Sequence, residues 1–177
     1  WTHPLSDISN EALAGMLLLL IVLSGFFSSS ETGLMAINRV RLQHQAEEGS
    51  KAAARILSLL DRPDRLIGLI LIGNNFVNIL ASSIATVLAV RVFGDAGIAI
   101  ATGVLTLVIL IFAEVTPKTF AALHPERIAK PASLILVPLL RLAHPLVWMT
   151  NLLSNGLLRI LGINPESSNR DRLTKEE

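Results

Sequence analysis

The chain contains no cysteine. That absence excludes a disulfide framework, a thiolate zinc site, an iron–sulfur cluster and a cysteine nucleophile, and it says nothing about compartment. Charge is scarce as well: only 16% of the 177 residues are Asp, Glu, Lys or Arg, against about 25% in an ordinary soluble domain. Neither sign is in excess, since 15 basic residues against 14 acidic ones leave a formal net charge of +1. A nucleic-acid partner held by a basic face therefore has no electrostatic support. What the chain does have is apolar residues, 51% of the total with a mean hydropathy of +0.58, gathered into a few long runs. The pattern is that of a membrane protein and argues against a water-soluble domain.

The first run extends from Ala12 to Phe27, interrupted only by Ser24 and Gly25, and continues through small polar residues to Ile37. At about 1.5 Å per residue it is long enough to cross a hydrocarbon core of about 30 Å. The residues before it carry Asp7 and Glu11 but no Lys or Arg, and no small-residue cleavage site ends it, so it reads as a span and not as a signal peptide. A second run, Leu66 to Val90, contains Asn74, Asn75 and Asn78; a third, Gly97 to Leu123, contains Glu114 and Lys118. Spans are thus expected over residues 12–38, 66–90 and 97–123.

Basic residues orient them. None precedes the first run, six (Arg39, Arg41, Lys51, Arg55, Arg62, Arg65) lie between the first and second, and only Arg91 lies between the second and third. The positive-inside rule puts the N-terminus outside and residues 39–65 in the cytoplasm, and three crossings leave the C-terminus inside. Residues 131–161 are apolar but split by Arg141, His144 and Pro145, and neither half is long enough to span. They read as a proline-bent segment along the cytoplasmic interface, in preference to a fourth crossing or a re-entrant one. Residues 41–60 read as another interfacial helix. Gly162 and Pro165 should end the last helix, leaving residues 166–177 as a polar tail. The fold class is therefore all-α, with three transmembrane helices plus interfacial helices within residues 1–165.

Polar groups inside the runs need a reason, because a charged residue at mid-membrane costs about 3 kcal/mol on insertion scales. Three clusters stand out: Ser28-Ser29-Ser30-Glu31 late in the first run, Asn74, Asn75 and Asn78 early in the second, and Glu114 late in the third. Measured from Asn38, Leu66 and Leu123 as the cytoplasmic ends, the serines lie roughly 12 to 15 Å deep, Asn74 and Asn78 roughly 12 to 18 Å and Glu114 roughly 14 Å. Levels that agree across spans of alternating direction point to one site near the membrane middle. Asn74 and Asn78 share a helix face, and Asn75 points about 100° away. Carboxylate, amide and hydroxyl oxygens without imidazole or thiolate suit hard cations such as Mg²⁺, Ca²⁺ or Na⁺. Pro117 has no N–H to offer the carbonyl of Ala113, which adds a backbone oxygen beside Glu114.

Plainer readings stand beside these. Ser29 and Ser30 also fit close helix packing, and the asparagines can simply bond across helices. Glu114 stands four residues before Lys118, the favourable order for a helical ion pair. Glu31 fits an interfacial charge or a partner for Arg39 or Lys118, and His44, His124 and His144 fit solvated positions at the interfaces. An intramembrane hydrolase with Ser28 as nucleophile and Lys118 as base is disfavoured, because Lys118 lies nearer the cytoplasmic end and no oxyanion donor is identifiable.

At these residues the sequence resembles the membrane domain of the CorC/CNNM family of magnesium transport proteins. The resemblance covers most of the chain and is carried by SGFFSSSETGLMAINR at 24–39 with VRL at 40–42, IGNNFVN at 72–78 and AEVTPK at 113–118. Ser29 and Gly33 depart from the Gly or Ala and the Ala of the family pattern, and Ala113 stands where Gly commonly precedes the Glu. The resemblance implies a homodimer in the inner (plasma) membrane that exports Mg²⁺ in exchange for Na⁺ and is not an enzyme. It implies metal binding by Ser28, Asn74, Asn78 and Glu114, with Ser29 and Asn75 second. Relatives of this type continue into cytoplasmic nucleotide-binding modules, so a chain running from Trp1, without Met, to Glu177 is expected to be a trimmed membrane domain, with ATP acting only through modules outside it. A Mg²⁺-sensing regulator of a separate channel needs the same ligands and is the alternative.

Overall fold

The first helix, α1 (Asn10–Ala36), starts where Ser9 caps it: the Ser9 hydroxyl accepts from the Ala12 N–H in a computed structural model that describes residues 8–162. It ends where Ile37 turns extended, and Asn38 then caps α2 (Arg39–Glu47) by accepting from the Arg41 N–H. Residues 41–60 are not one helix. At Gly49, with φ at 95°, the chain turns, and the Gly49 and Ser50 N–H groups return to the carbonyls of Ala46 and Gln45. Ser50 then caps α3 (Lys51–Leu60). Serine and glycine at consecutive positions stop one helix and start the next, a signal that outweighs the shared apolar stripe.

Next come α4 (Pro63–Phe93), a 3₁₀ turn (Gly94–Ala96), α5 (Gly97–Val108), a π-helical segment (Ile109–Val115) and α6 (Thr116–Leu123). Together they form a helical run of 61 residues, which straightened would measure about 90 Å, three times a hydrocarbon core. It does not run straight. Gly97 lies so close to the Ala89 carbonyl that a Cβ there would come within 2.3 Å of the oxygen, whereas residues eight apart in a straight helix are about 12 Å apart. α4 and the α5–α6 run are therefore the arms of a hairpin. Because the obstacle is backbone, Gly97→Ala should open the hairpin tip and destabilise the protein by about 2 kcal/mol. A melting temperature in detergent within a degree of wild type would contradict this close approach.

α1 packs against α4 on one side and against the π segment and α6 on the other. Leu13, Leu20, Phe27 and Leu34 of α1 share a core with Leu69, Ile70, Val77 and Ile84 of α4. The opposite faces expose Leu18, Leu19 and Val22, Phe76 and Ile79, and Val104, Leu107 and Phe112. Water would not tolerate such a continuous apolar surface, but a bilayer requires one. Among the described residues, Asn10–Ala36 and Pro63–Leu123 are long and apolar enough to cross a membrane, and the bent pair Pro125–Leu142 and His144–Ile160 is so only if its two helices are taken together. All regular structure among the described residues is helical.

The last two helices are α7 (Pro125–Leu142) and α8 (His144–Ile160), bent by 75° at their junction. The segment read as 131–161 thus begins six residues earlier than expected, and its bend falls at Ala143, just before Pro145. Pro131 and Pro138 sit inside α7 without breaking it. α3 lies on α7, bringing the buried stripe Ala53, Ile56, Leu59 and Leu60 to the side of Ala129, Ala132 and Leu136. Glu126 ties α7 to α2 through Arg41 at 3.1 Å and also holds Lys130 at 3.4 Å. Gly162, with φ at 78°, closes α8 by donating to the Arg159 carbonyl. Pro165 and the expected tail, 166–177, lie outside the described residues.

Candidate cation site

Most hydroxyls in the long helices satisfy themselves. Ser83, Thr86, Thr102 and Thr106 each donate to the carbonyl four residues back, a bond that lets a polar side chain face lipid. In α1, Ser29 and Ser30 both donate to the Phe26 carbonyl, at 3.1 and 2.6 Å. Two serines depart from this pattern. Ser24 Oγ reaches across to α4 and donates to Asn74 Oδ1 at 2.9 Å and Asn78 Oδ1 at 2.7 Å. A hydroxyl carries one hydrogen, so three oxygens share a single proton, a group short of donors and suited to accept a cation. Ser28, one turn along from Ser24, is 0% exposed and its hydroxyl has no hydrogen-bond partner. Leaving a buried hydroxyl unpaired costs about 1 to 3 kcal/mol, so Ser28 keeps an oxygen that its own helix does not use.

The third run contributes from the other side of α1. Through Ile109–Val115 the ladder is π-helical, and the Thr116 N–H donates to the Ile111 carbonyl, five residues back. Continued one residue, that register pairs Pro117 with Phe112, and Pro117 has no N–H. In that register the carbonyl that Pro117 leaves without a donor is Phe112, where α-helical spacing gives Ala113. It faces Gly25: a Cβ built there would lie 3.4 Å from the Phe112 oxygen and 3.3 Å from Pro117 Cγ. Only glycine leaves this carbonyl unscreened, next in sequence to Ser24. Two residues on, the half-buried Glu114 has the Lys118 ammonium on Oε2 at 3.1 Å.

A model of the cyclin M transmembrane N-terminal domain matches residues 15–177. The chain belongs to the cyclin M family. Relatives of this cyclin M domain include the UPF0053 inner membrane protein YfjD of Escherichia coli (strain K12), 54% identical over 155 residues, which are 88% of the chain and 36% of that protein. A UPF0053 protein of Haemophilus influenzae is 49% identical over 159 residues, 90% of the chain and 38% of the relative. The polyamine export protein of Salmonella typhimurium is 28% identical over 169 residues, 81% and 35% of the two chains. The cyclin M domain thus spans little more than a third of the length of these curated relatives.

Of the residues singled out from sequence, Asn74 and Asn78 meet at one hydroxyl, and Ser28 is buried on α1 one turn from that hydroxyl. Ser29 is buried with its hydrogen directed to its own helix, and Asn75 is exposed. The Glu114–Lys118 pair forms despite Pro117 between them. Glu31 pairs with neither Arg39 nor Lys118 and has no ion pair among the described residues. No group of three His, Cys, Asp or Glu gathers among the described residues either. Sequence reading missed Ser24, treating it as a break in an apolar run. The signal was present: Ser24 precedes Ser28 by one turn on the same helix face.

Proposed function

We propose that this cyclin M domain is the membrane part of a secondary active carrier that exports Mg²⁺ in exchange for Na⁺, by alternating access of a site made by Ser24, Ser28, Asn74, Asn78 and Glu114. One observation carries this reading: the Ser24 hydroxyl, with a single hydrogen to offer, meets the Asn74 and Asn78 amide oxygens at 2.9 and 2.7 Å, one helical turn from the Ser28 hydroxyl, which has no hydrogen-bond partner. Neighbouring oxygens in an octahedral Mg²⁺ shell lie about 2.9 Å apart, because the metal–oxygen distance is about 2.1 Å. Ser24 Oγ stands at about that spacing from both amide oxygens, and Glu114 adds the negative charge. The oxygen set excludes the softer metals, whose sites call for imidazole or thiolate.

The domain sits in the inner membrane in this reading, with α1, α4 and the α5–α6 run as three crossings. The N-terminus lies outside, and α2, α3, α7 and α8 lie along the cytoplasmic face, as the basic residues of 39–65 favour. It works as a homodimer, and ATP acts only through cytoplasmic modules beyond these residues. In this reading the domain is a carrier and not an enzyme.

Two other readings have support. A Mg²⁺-sensing regulator of a separate channel would use the same ligands. Polyamine carriage is favoured by relatives named polyamine export protein, and the Lys118 ammonium on Glu114 is a precedent for an amine there. The small oxygen trio between α1 and α4 favours an ion over an alkyl diamine. Purified chain in liposomes, oriented by single cysteines at Gly49 and Asp95 that label from opposite sides, should move Mg²⁺ down an imposed Na⁺ gradient. Mg²⁺ binding without flux would establish the regulator, and putrescine flux in place of Mg²⁺ flux would establish the polyamine carrier.

A further inference from the structure

Glu114 has a cation of its own chain beside it. The Lys118 ammonium lies 3.1 Å from its Oε2, one turn along and nearer the end of α6. An ammonium has three donors and no lone pair, so it neutralises a carboxylate but cannot share in ligating a metal. A divalent metal on either Glu114 oxygen would lie within a few ångströms of that ammonium, and the two cations repel one another. We propose that Lys118 is a tethered counter-cation of the carrier: it occupies Glu114 when cargo is absent, leaves when cargo binds, and so lets the empty site return without an unpaired carboxylate. The proposal rests on the reading of Glu114 as a cargo ligand and goes beyond it, since it gives the empty carrier its own occupant.

Three features make the exchange feasible. The side chains of Lys118 and Glu114 are 41% and 29% exposed, so the pair is held against the protein and not sealed inside it. Lys118 lies five residues from Leu123, where α6 ends, so its four-carbon stem can carry the ammonium toward the interface without moving the helix. The pair also straddles Pro117 at the end of the π segment, where the backbone ladder lacks a donor and the turn can adjust locally. Charge balance follows. Glu114 and Lys118 sum to zero with the site empty, whereas retaining the ammonium beside a bound divalent ion would leave three positive charges against one negative.

The consequence is a trade between affinity and return. Lys118→Gln removes the internal competitor and should tighten Mg²⁺ binding about tenfold or more in calorimetry, as expected for loss of a like charge close to the metal. Net Mg²⁺ efflux should fall several-fold, because the empty site now returns with a bare carboxylate, while exchange of ²⁵Mg²⁺ for Mg²⁺ across the same vesicles, which never passes through the empty state, stays near wild type. Lys118→Arg, which keeps the charge, should retain wild-type affinity. In the wild-type chain, saturating Mg²⁺ should raise acylation of Lys118 by an amine-reactive reagent several-fold, read by mass spectrometry; this measurement does not depend on a variant folding. Unchanged or weaker Mg²⁺ affinity in folded Lys118→Gln, or acylation that does not rise with Mg²⁺, would overturn the proposal and leave Lys118 a helical ion-pair partner. Wild-type affinity in Glu114→Gln would instead remove the underlying site assignment, so the two failures are distinguishable.

Discussion

Glu114→Gln should abolish Mg²⁺ binding by calorimetry and Mg²⁺ flux in liposomes while leaving the protein folded. The substitution keeps the shape of the side chain and removes the only negative charge among the proposed ligands. Two unit charges about 4 Å apart interact by about 4 kcal/mol at an effective dielectric of 20, and a divalent cation in direct contact gains more. Even after heavy discounting for the half-buried setting, about 3 kcal/mol of lost attraction weakens binding by more than 100-fold. If the pair with Lys118 at 3.1 Å were purely structural, the outcome would differ. Glu114→Gln and Lys118→Met would then lower the melting temperature alike, and Mg²⁺ affinity in the surviving protein would not change.

Ser24→Ala is the second large effect. It deletes one oxygen from the trio and the single hydrogen that holds Asn74 Oδ1 and Asn78 Oδ1 together at 2.9 and 2.7 Å. Losing a neutral ligand and the positioning of two others is worth about 1.5 to 3 kcal/mol, or about 10- to 100-fold in Mg²⁺ affinity. Asn78→Ala should fall in the lower part of that range, since it removes one neutral oxygen and no charge. Ser29→Ala and Asn75→Ala are the controls. Ser29 directs its hydrogen to Phe26 and Asn75 is exposed, so both variants should bind within about twofold of wild type. A Ser24→Ala protein as tight as those controls would show the trio to be a packing contact between α1 and α4.

How far residue spacing can carry the reading is clear from particular helices. The long apolar runs required helices because a bilayer offers no partner for an open backbone, and the helical runs from Asn10 and Pro63 follow those runs closely. Asn74 and Asn78 came to one face because they are four apart, a purely local relation. Finer punctuation was harder to see. The break at Gly49–Ser50 is set by local capping, which an apolar stripe continuing across it concealed. The early start of α7 at Pro125 follows from a proline that is well tolerated in a first turn.

By itself the sequence determined the membrane class and the helical content, because each depends on composition or on spacing within one helix, and its motifs carried the resemblance to the family. The tertiary structure alone decided which groups meet and which are left without partners. Whether Ser24 or Ser29 reaches α4 depends on how α1 is rotated against it, and no spacing within α1 states that rotation. The identity of the free carbonyl turned on the register of the third run: with Pro117 present, an α ladder exposes Ala113 and a π ladder exposes Phe112. That register depends on the fit of the helix against Gly25, a contact between residues nearly ninety positions apart. The pairing of Glu114 with Lys118 was one of two local options, and its adoption across a proline was settled by the helix that packing imposes around them.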